Sequence, residues 1–207
     1  MLRFADADVL TYAFVPSAKT IAGYNTELKK LLDDERTSTA KRDALIADGL
    51  FVAATDPRLT YVPPTPLPAV PSLNFATLDA AVAAVTASAQ RYHAASTAAN
   101  GTNASPALDA ALIASEKALL GSGLPRRPWY RHELYAPGYF TGYGVKTMPA
   151  IREAIEERDW PGAQAGIASV SAAFVGANVP AAKQLRCSRE SITPSRRDLQ
   201  VPHAIRL

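Results

Sequence analysis

The chain has 207 residues, 48% hydrophobic and 20% charged, with 22 basic against 19 acidic side chains and a formal net charge of +3. That length and balance fit one globular domain with a real core, and they lack the clustered basic face of a dedicated nucleic-acid binder. Cys187 is the single cysteine, which excludes an intrachain disulfide and a cysteine-ligated zinc site; His93, His132 and His203 lie far apart with no ligand spacing, and no apolar run approaches membrane-spanning length.

Residues 1–15 read as an extended lead-in ending at Val15-Pro16, in which Asp6 and Asp8 break any signal-peptide core. Ser17 is placed to cap a helix carrying Ile21, Tyr24, Leu28, Leu31 and Leu32 at helical spacing. A second helical run covers about Ser38 to Ala54, with Leu45, Ile46, Leu50 and Phe51 apolar. The spacing leaves open whether the two runs are one helix or two. DPRLTYVPPTPLPAVPS, 56–72, then carries prolines at 57, 63, 64, 66, 68 and 71. Proline lacks the amide hydrogen and fixes φ, so a long extended crossover is expected there.

Asn74 is placed to cap a helix with Leu78, Val82, Val85, Ala89 and Tyr92 along one seam. STAANGTNAS, 96–105, reads as a surface loop. Ser105-Pro106 then starts a helix through Leu108, Leu112 and Leu119 that Gly121 and Gly123 stop. Thr147 or Met148 begins a short helix with Ile151 and Ile155, Asp159-Trp160-Pro161-Gly162 reads as a turn, and a last helix carries Ile167, Val170 and Phe174 until Pro180. The expected class is all-α: a four-helix bundle of up-down type with a long Pro-rich crossover and an irregular aromatic and arginine loop. Alanines recur on two helices, Ala80, Ala81, Ala83, Ala84 and Ala87, and Ala165, Ala168, Ala172 and Ala173. Small side chains let another helix approach closely, although alanine's helix propensity explains them equally well.

GLPRRPWYRHELYAPG, 123–138, concentrates the polar and aromatic residues. His132-Glu133 begins a zinc-protease motif, but that chemistry needs a second histidine four residues after His132, where Ala136 stands, followed by Pro137. Glu133 is the one acid in the stretch, so paired carboxylates for acid–base work are missing. No nucleophile elbow and no phosphate loop is present, and no catalytic residue or metal ligand is expected in the chain. On residue types alone the stretch is structural. Arg126, Arg127 and Arg131 would pair with carbonyls and carboxylates, Trp129, Tyr130 and Tyr135 would pack on the helices, and His132 would be a hydrogen-bonded interior histidine.

The same window resembles a family signature, Gly-Leu-Pro-x-Arg-Pro-aromatic-Tyr-Arg-His-x-x-Tyr-Ala-Pro. It is supplied here by Gly123, Leu124, Pro125, Arg127, Pro128, Trp129, Tyr130, Arg131, His132, Tyr135, Ala136 and Pro137. The signature is that of the transferrin receptor-like dimerisation domain, which closes the chain of zinc metallopeptidases like glutamate carboxypeptidase II, here of bacterial type. Leu2 to Ala7 followed by a helix, VPSLNFATLDAAV at 70–82 and the helix after Trp160 also resemble the family, so the likeness covers about residues 1–185. Residues 186–207 read as a disordered basic tail.

The resemblance implies a non-catalytic module that forms a homodimer and follows a peptidase domain holding two zinc ions. Family members often work outside the cytoplasm, secreted, periplasmic or membrane-anchored. It also implies a loop bordering the substrate cleft of that preceding domain. Tyr143 looks like the residue that helps hold the terminal side chain of the substrate, and Gly142 stands where glutamate-preferring enzymes have lysine. Structural roles fall to Arg127, Trp129, Tyr130, Arg131, His132, Tyr135 and Pro137. The alternative is a stand-alone helical interaction bundle with no peptidase role. A nucleic-acid reading, resting on Arg186, Arg189, Arg196 and Arg197, ranks far below, because no aromatic residues interleave with that run. No cofactor is expected in this chain, nor any nucleic-acid partner or membrane insertion.

Overall fold

A computed structural model describes residues 12–56, 58, 60–98 and 106–177. The protein is mainly α-helical. Helix α1, Phe14–Ala47, is one continuous helix of 34 residues where the sequence left one or two open. It begins before the expected cap. Pro16 is tolerated in the first turn, where amides have no intrahelical partner. The Ser17 hydroxyl donates back to the Ala13 carbonyl at 3.0 Å, so Ser17 lies inside the helix and does not cap it. Ion pairs Lys30–Asp34 and Arg36–Asp33 line its polar middle. Gly49, at φ +69°, separates α1 from the single turn α2, Leu50–Ala53. Leu45 and Leu50, apolar positions of the second expected run, are 43% and 49% exposed. Beyond Thr39, α1 meets the crossover rather than the apolar core; Asp43 there accepts the Leu67 amide at 3.2 Å.

From residue 60 the crossover runs without helix or strand into Phe75. Its prolines leave carbonyls with few amides to match them, and arginines supply the donors. Arg36 donates to the Pro71 carbonyl at 2.9 Å and Arg158 to that of Pro68 at 2.6 Å.

Helix α3, Ala76–Ala98, starts where Asn74 Oδ1 accepts the Ala76 amide at 2.9 Å. Its seam is as expected: Leu78, Val82, Ala89 and Tyr92 are buried and Val85 half-buried. It runs antiparallel to α1, with the Phe14 and Tyr92 rings edge-on at 5.0 Å near one end and Asn25 and Lys29 on Asp79 at the other. Burial pushes the Asp79 carboxyl up, but hydrogen bonds from Lys29 and Asn25 and the charge of Lys29 outweigh it and hold it below the ordinary carboxylate range. A depressed folded-state value stabilises above the unfolded value and is lost as pH falls through the folded one. Asp79 is 45% exposed, so solvent screens the pair. Asp79→Asn is therefore expected to cost only about 0.2–1 kcal/mol at neutral pH. In urea titrations the gap between the two proteins should narrow and close as pH falls below the ordinary carboxylate value near 4.

Helix α4, Pro106–Lys117, begins on its proline, and its Leu108 and Leu112 form a small second core with Tyr92. Strands β1, Tyr135–Pro137, and β2, Val145–Thr147, pair antiparallel with Tyr135 opposite Thr147. Helix α5, Pro149–Glu156, follows Met148, and helix α6 spans Trp160–Ala177. The Asp159–Gly162 segment is not a free turn. Asp159 Oδ1 accepts the Gly162 amide at 3.0 Å and Pro161 sits in the first turn, so these residues start α6. The main core joins Leu28, Leu78, Val82, Ile151, Ile155, Ile167, Val170 and Phe174. Gly166 lets α5 and α6 touch: a Cβ there would lie 2.8 Å from the Ala150 carbonyl oxygen. The expectations for Leu2–Ala7, the Ser105 cap, Pro180 and residues 186–207 fall outside the described residues.

The arginine-braced loop and its family

Residues 119–147 form a laced ribbon along α5 and α6. The Gly121 amide bonds the Arg131 carbonyl at 2.8 Å, the Glu133 amide bonds Leu119 at 2.9 Å, and the Leu124 amide bonds Tyr130 at 2.9 Å. Proline at 125 and 128 and left-handed Arg126, φ +63°, make the turn between them. The Met148 amide, at the far end, bonds the Leu134 carbonyl at 2.7 Å and ties the ribbon to α5.

Arg127 is the anchor. It is 4% exposed, and its guanidinium donates to the Pro137 carbonyl and pairs with Glu153 of α5. The other oxygen of Glu153 accepts the Tyr139 amide at 2.8 Å. One buried ion pair thus holds the end of β1 and the start of the following loop. Arg126 pairs with Glu157, one helical turn on, and lies over the Tyr139 ring at 4.1 Å. Arg131 donates to the Gly121 carbonyl at 2.9 Å.

Glu133 is 4% exposed and accepts the Ser169 hydroxyl of α6 at 2.7 Å. It packs so close to Gly121 that a Cβ there would meet its Oε1 at 1.9 Å. The partners Glu153, Glu157 and Ser169 were missed in the sequence. The available signal was two acids four residues apart on the predicted short helix, facing three arginines.

The aromatic residues depart from expectation. Trp129 is 71% exposed, Tyr130 37% and Tyr135 47%, so they do not pack into the helices. The ribbon runs along the surface, and residues 128–131 are exposed in succession. His132 is half-buried and stacks on Tyr135 at 4.5 Å. Its Nδ1 accepts the Leu134 amide at 3.2 Å, while Nε2 is buried without a partner, 3.9 Å from Glu116.

Between the strands, Tyr139–Gly144 make a tight tip. The Gly138 amide bonds the Gly144 carbonyl at 2.8 Å and the Gly142 amide the Gly138 carbonyl at 3.0 Å. Gly142 adopts φ +62°, which a residue with a side chain resists. Tyr143 is fully exposed and packs on neither Trp129 nor Tyr135. Phe140 and Val145 stand beside it at 75% and 69% exposed. Arg127, Pro137, Gly142 and Tyr143 thus form one connected unit, with Trp129 and Tyr130 at its other end.

Among the described residues no three His, Cys, Asp or Glu side chains come together as a metal would require. No described helix is long and apolar enough to cross a membrane.

Residues 73–179, just over half of the chain, match the family model for the transferrin receptor-like dimerisation domain. A 46-residue segment is 41% identical to a probable glutamate carboxypeptidase, LAMP1, of Arabidopsis thaliana, covering 22% of this chain and 7% of that protein. A 34-residue segment is 53% identical to a probable glutamate carboxypeptidase of Arthroderma benhamiae, covering 16% of this chain and 5% of that protein. The matches therefore span a small part of either relative. With its helices, its Arg127-anchored ribbon and the match from 73 to 179 in agreement, the chain belongs to the transferrin receptor-like dimerisation domain family.

Proposed function

We propose that this chain is the homodimerisation module of a zinc peptidase like the glutamate carboxypeptidases, non-catalytic by itself. In this reading residues 1–185 are the domain, α1, α3, α4 and α6 make a four-helix bundle, and a preceding domain supplies two zinc ions and the chemistry. The observation that carries the pairing is the surface of α3 and α6. Ala80 and Ala84 on α3 and Ala165, Ala168 and Ala172 on α6 are exposed. Thr77 of α3 and Ser171 of α6 lie 3.5 Å apart, so the two helices adjoin. Such a surface buries little within one chain and admits a second helix closely.

Light scattering after gel filtration is expected to give twice the chain mass of 22.0 kDa at tens of micromolar. A stable pairing of this kind buries on the order of 2,000 Å² in total. Ala168→Arg, at the centre of the row, should shift the mass to that of one chain with the helical signal unchanged. A single-chain mass for the unaltered protein would sink the pairing.

The tip Tyr139–Gly144 is proposed to border the substrate cleft of the peptidase domain, with Gly142 shaping it and the Tyr143 hydroxyl donating to a substrate carboxylate. Full exposure of Tyr143 on a braced support is what favours this, since nothing in the described chain uses the ring. In the protein joined to its peptidase domain, Tyr143→Phe should lower kcat/KM by an amount equivalent to about 0.5–3 kcal/mol while the melting temperature holds. Unchanged kinetics would remove Tyr143 from substrate binding.

A further inference from the structure

A partly open cavity of about 160 Å³ lies where α1 begins and α6 ends. Its walls are apolar. Phe14 and Tyr92 meet edge-on at 5.0 Å and Tyr12 stacks on Phe14 at 5.5 Å, while Ile21, Val85 and Phe174 close the floor. The polar groups on the lining are mostly spent within their own helices. The Ser17 hydroxyl donates to Ala13 and that of Ser115 to Leu112 at 2.7 Å. Glu116, in the last turn of α4, also lines it, and its side chain is 55% exposed at the lip. It is the one formal charge among the described lining residues. His132 Nε2 stands 3.9 Å from its carboxylate, beyond hydrogen-bond length.

Size, wall and charge together specify a ligand. An apolar cavity of about 150 Å³ stays dry and accepts a benzene-sized molecule. Aromatic faces attract a cation, and a carboxylate at the mouth gives an ammonium a charge-assisted hydrogen bond. Burial, then the charge of nearby Asp109, pushes the Tyr92 hydroxyl up.

We propose that this cavity is a binding site for a compact hydrophobic cation, an aromatic primary amine about the size of benzylamine. The ring would lie among Phe14, Tyr92 and Phe174 and the ammonium on Glu116. The site is independent of the pairing surface, and its test does not depend on the oligomeric state.

Benzylamine and its neutral counterpart benzyl alcohol are the probes, titrated at neutral pH and followed by saturation-transfer NMR and calorimetry. Benzylamine is expected to bind saturably, several-fold tighter than benzyl alcohol. Glu116→Gln, at a half-exposed surface position, should bring the two probes level. Ala18→Leu fills the cavity from α1 and should abolish both signals with helicity retained; Ala89→Leu does the same from α3 if the first variant fails to fold. The proposal is overturned if neither probe saturates, if the two bind equally to the unaltered protein, or if the preference survives Glu116→Gln.

Discussion

Replacing Arg127 with alanine is expected to destabilise the protein by about 3–5 kcal/mol, the range for breaking a buried ion pair by removing one partner. The guanidinium is 4% exposed and joins three separated pieces of chain: its own turn, the Pro137 carbonyl and Glu153 of α5. Truncation leaves the Glu153 carboxylate, 13% exposed, without its cation and the Pro137 carbonyl without its donor. The loss is local as well as global. Glu153 also holds the Tyr139 amide, so the tip that carries Tyr143 should loosen first. Urea unfolding measures the global term, and limited proteolysis between Tyr139 and Val145 measures the local one. Arg127→Lys should recover only part of the stability, because an ammonium lacks the planar fork that reaches two acceptors at once. A loss under about 1 kcal/mol for the alanine variant would place the pair in the class of surface ion pairs and remove Arg127 as the anchor.

The sequence carried the helices well because burial there follows a period. Leu78, Val82, Ala89 and Tyr92 repeat at steps that only a helix aligns, and all four are buried. The boundaries were less legible. Ser17 and Asp159 are both good caps by residue type; Asp159 caps and Ser17 does not. The difference lies in the backbone that precedes each, which residue type does not encode. Leu45 and Leu50 continue the apolar pattern of α1 past the point where other helices stop, so the same pattern yields exposed side chains. In the ribbon, the cluster of arginines was legible as an anchor, but which arginine is buried was not. Arg126 and Arg127 are neighbours of identical type, and only the fold turns one inward. The exposed faces of Trp129, Tyr130 and Tyr135 have a different cause. The ribbon lies on the surface, and these rings stand on its outer side.

Phe174→Ala is expected to cost about 3–5 kcal/mol, the range for truncating a buried aromatic ring. Phe174 is fully buried on α6, where it closes the main core and floors the cavity at the start of α1. Two terms add. The ring loses its transfer from water, and the space it leaves joins a void of about 160 Å³ that the surrounding helices already fail to fill. Residual cavity volume costs about 24 cal/mol per Å³, so incomplete collapse pushes the loss toward the upper end. Phe174→Leu keeps most of the volume and should cost about 1–2 kcal/mol, near the range for hydrophobic exchanges that roughly preserve volume. Denaturant unfolding at two protein concentrations separates this core loss from pairing. A dimer that unfolds to single chains becomes more stable with concentration, whereas the stability of a lone chain does not change. If the deficit of the alanine variant is the same at both concentrations, Phe174 acts within one chain. A deficit that disappears at high concentration would mean that the second copy supports this end of α6. Alanine and leucine variants of equal stability would show that Phe174 is not a packed core residue.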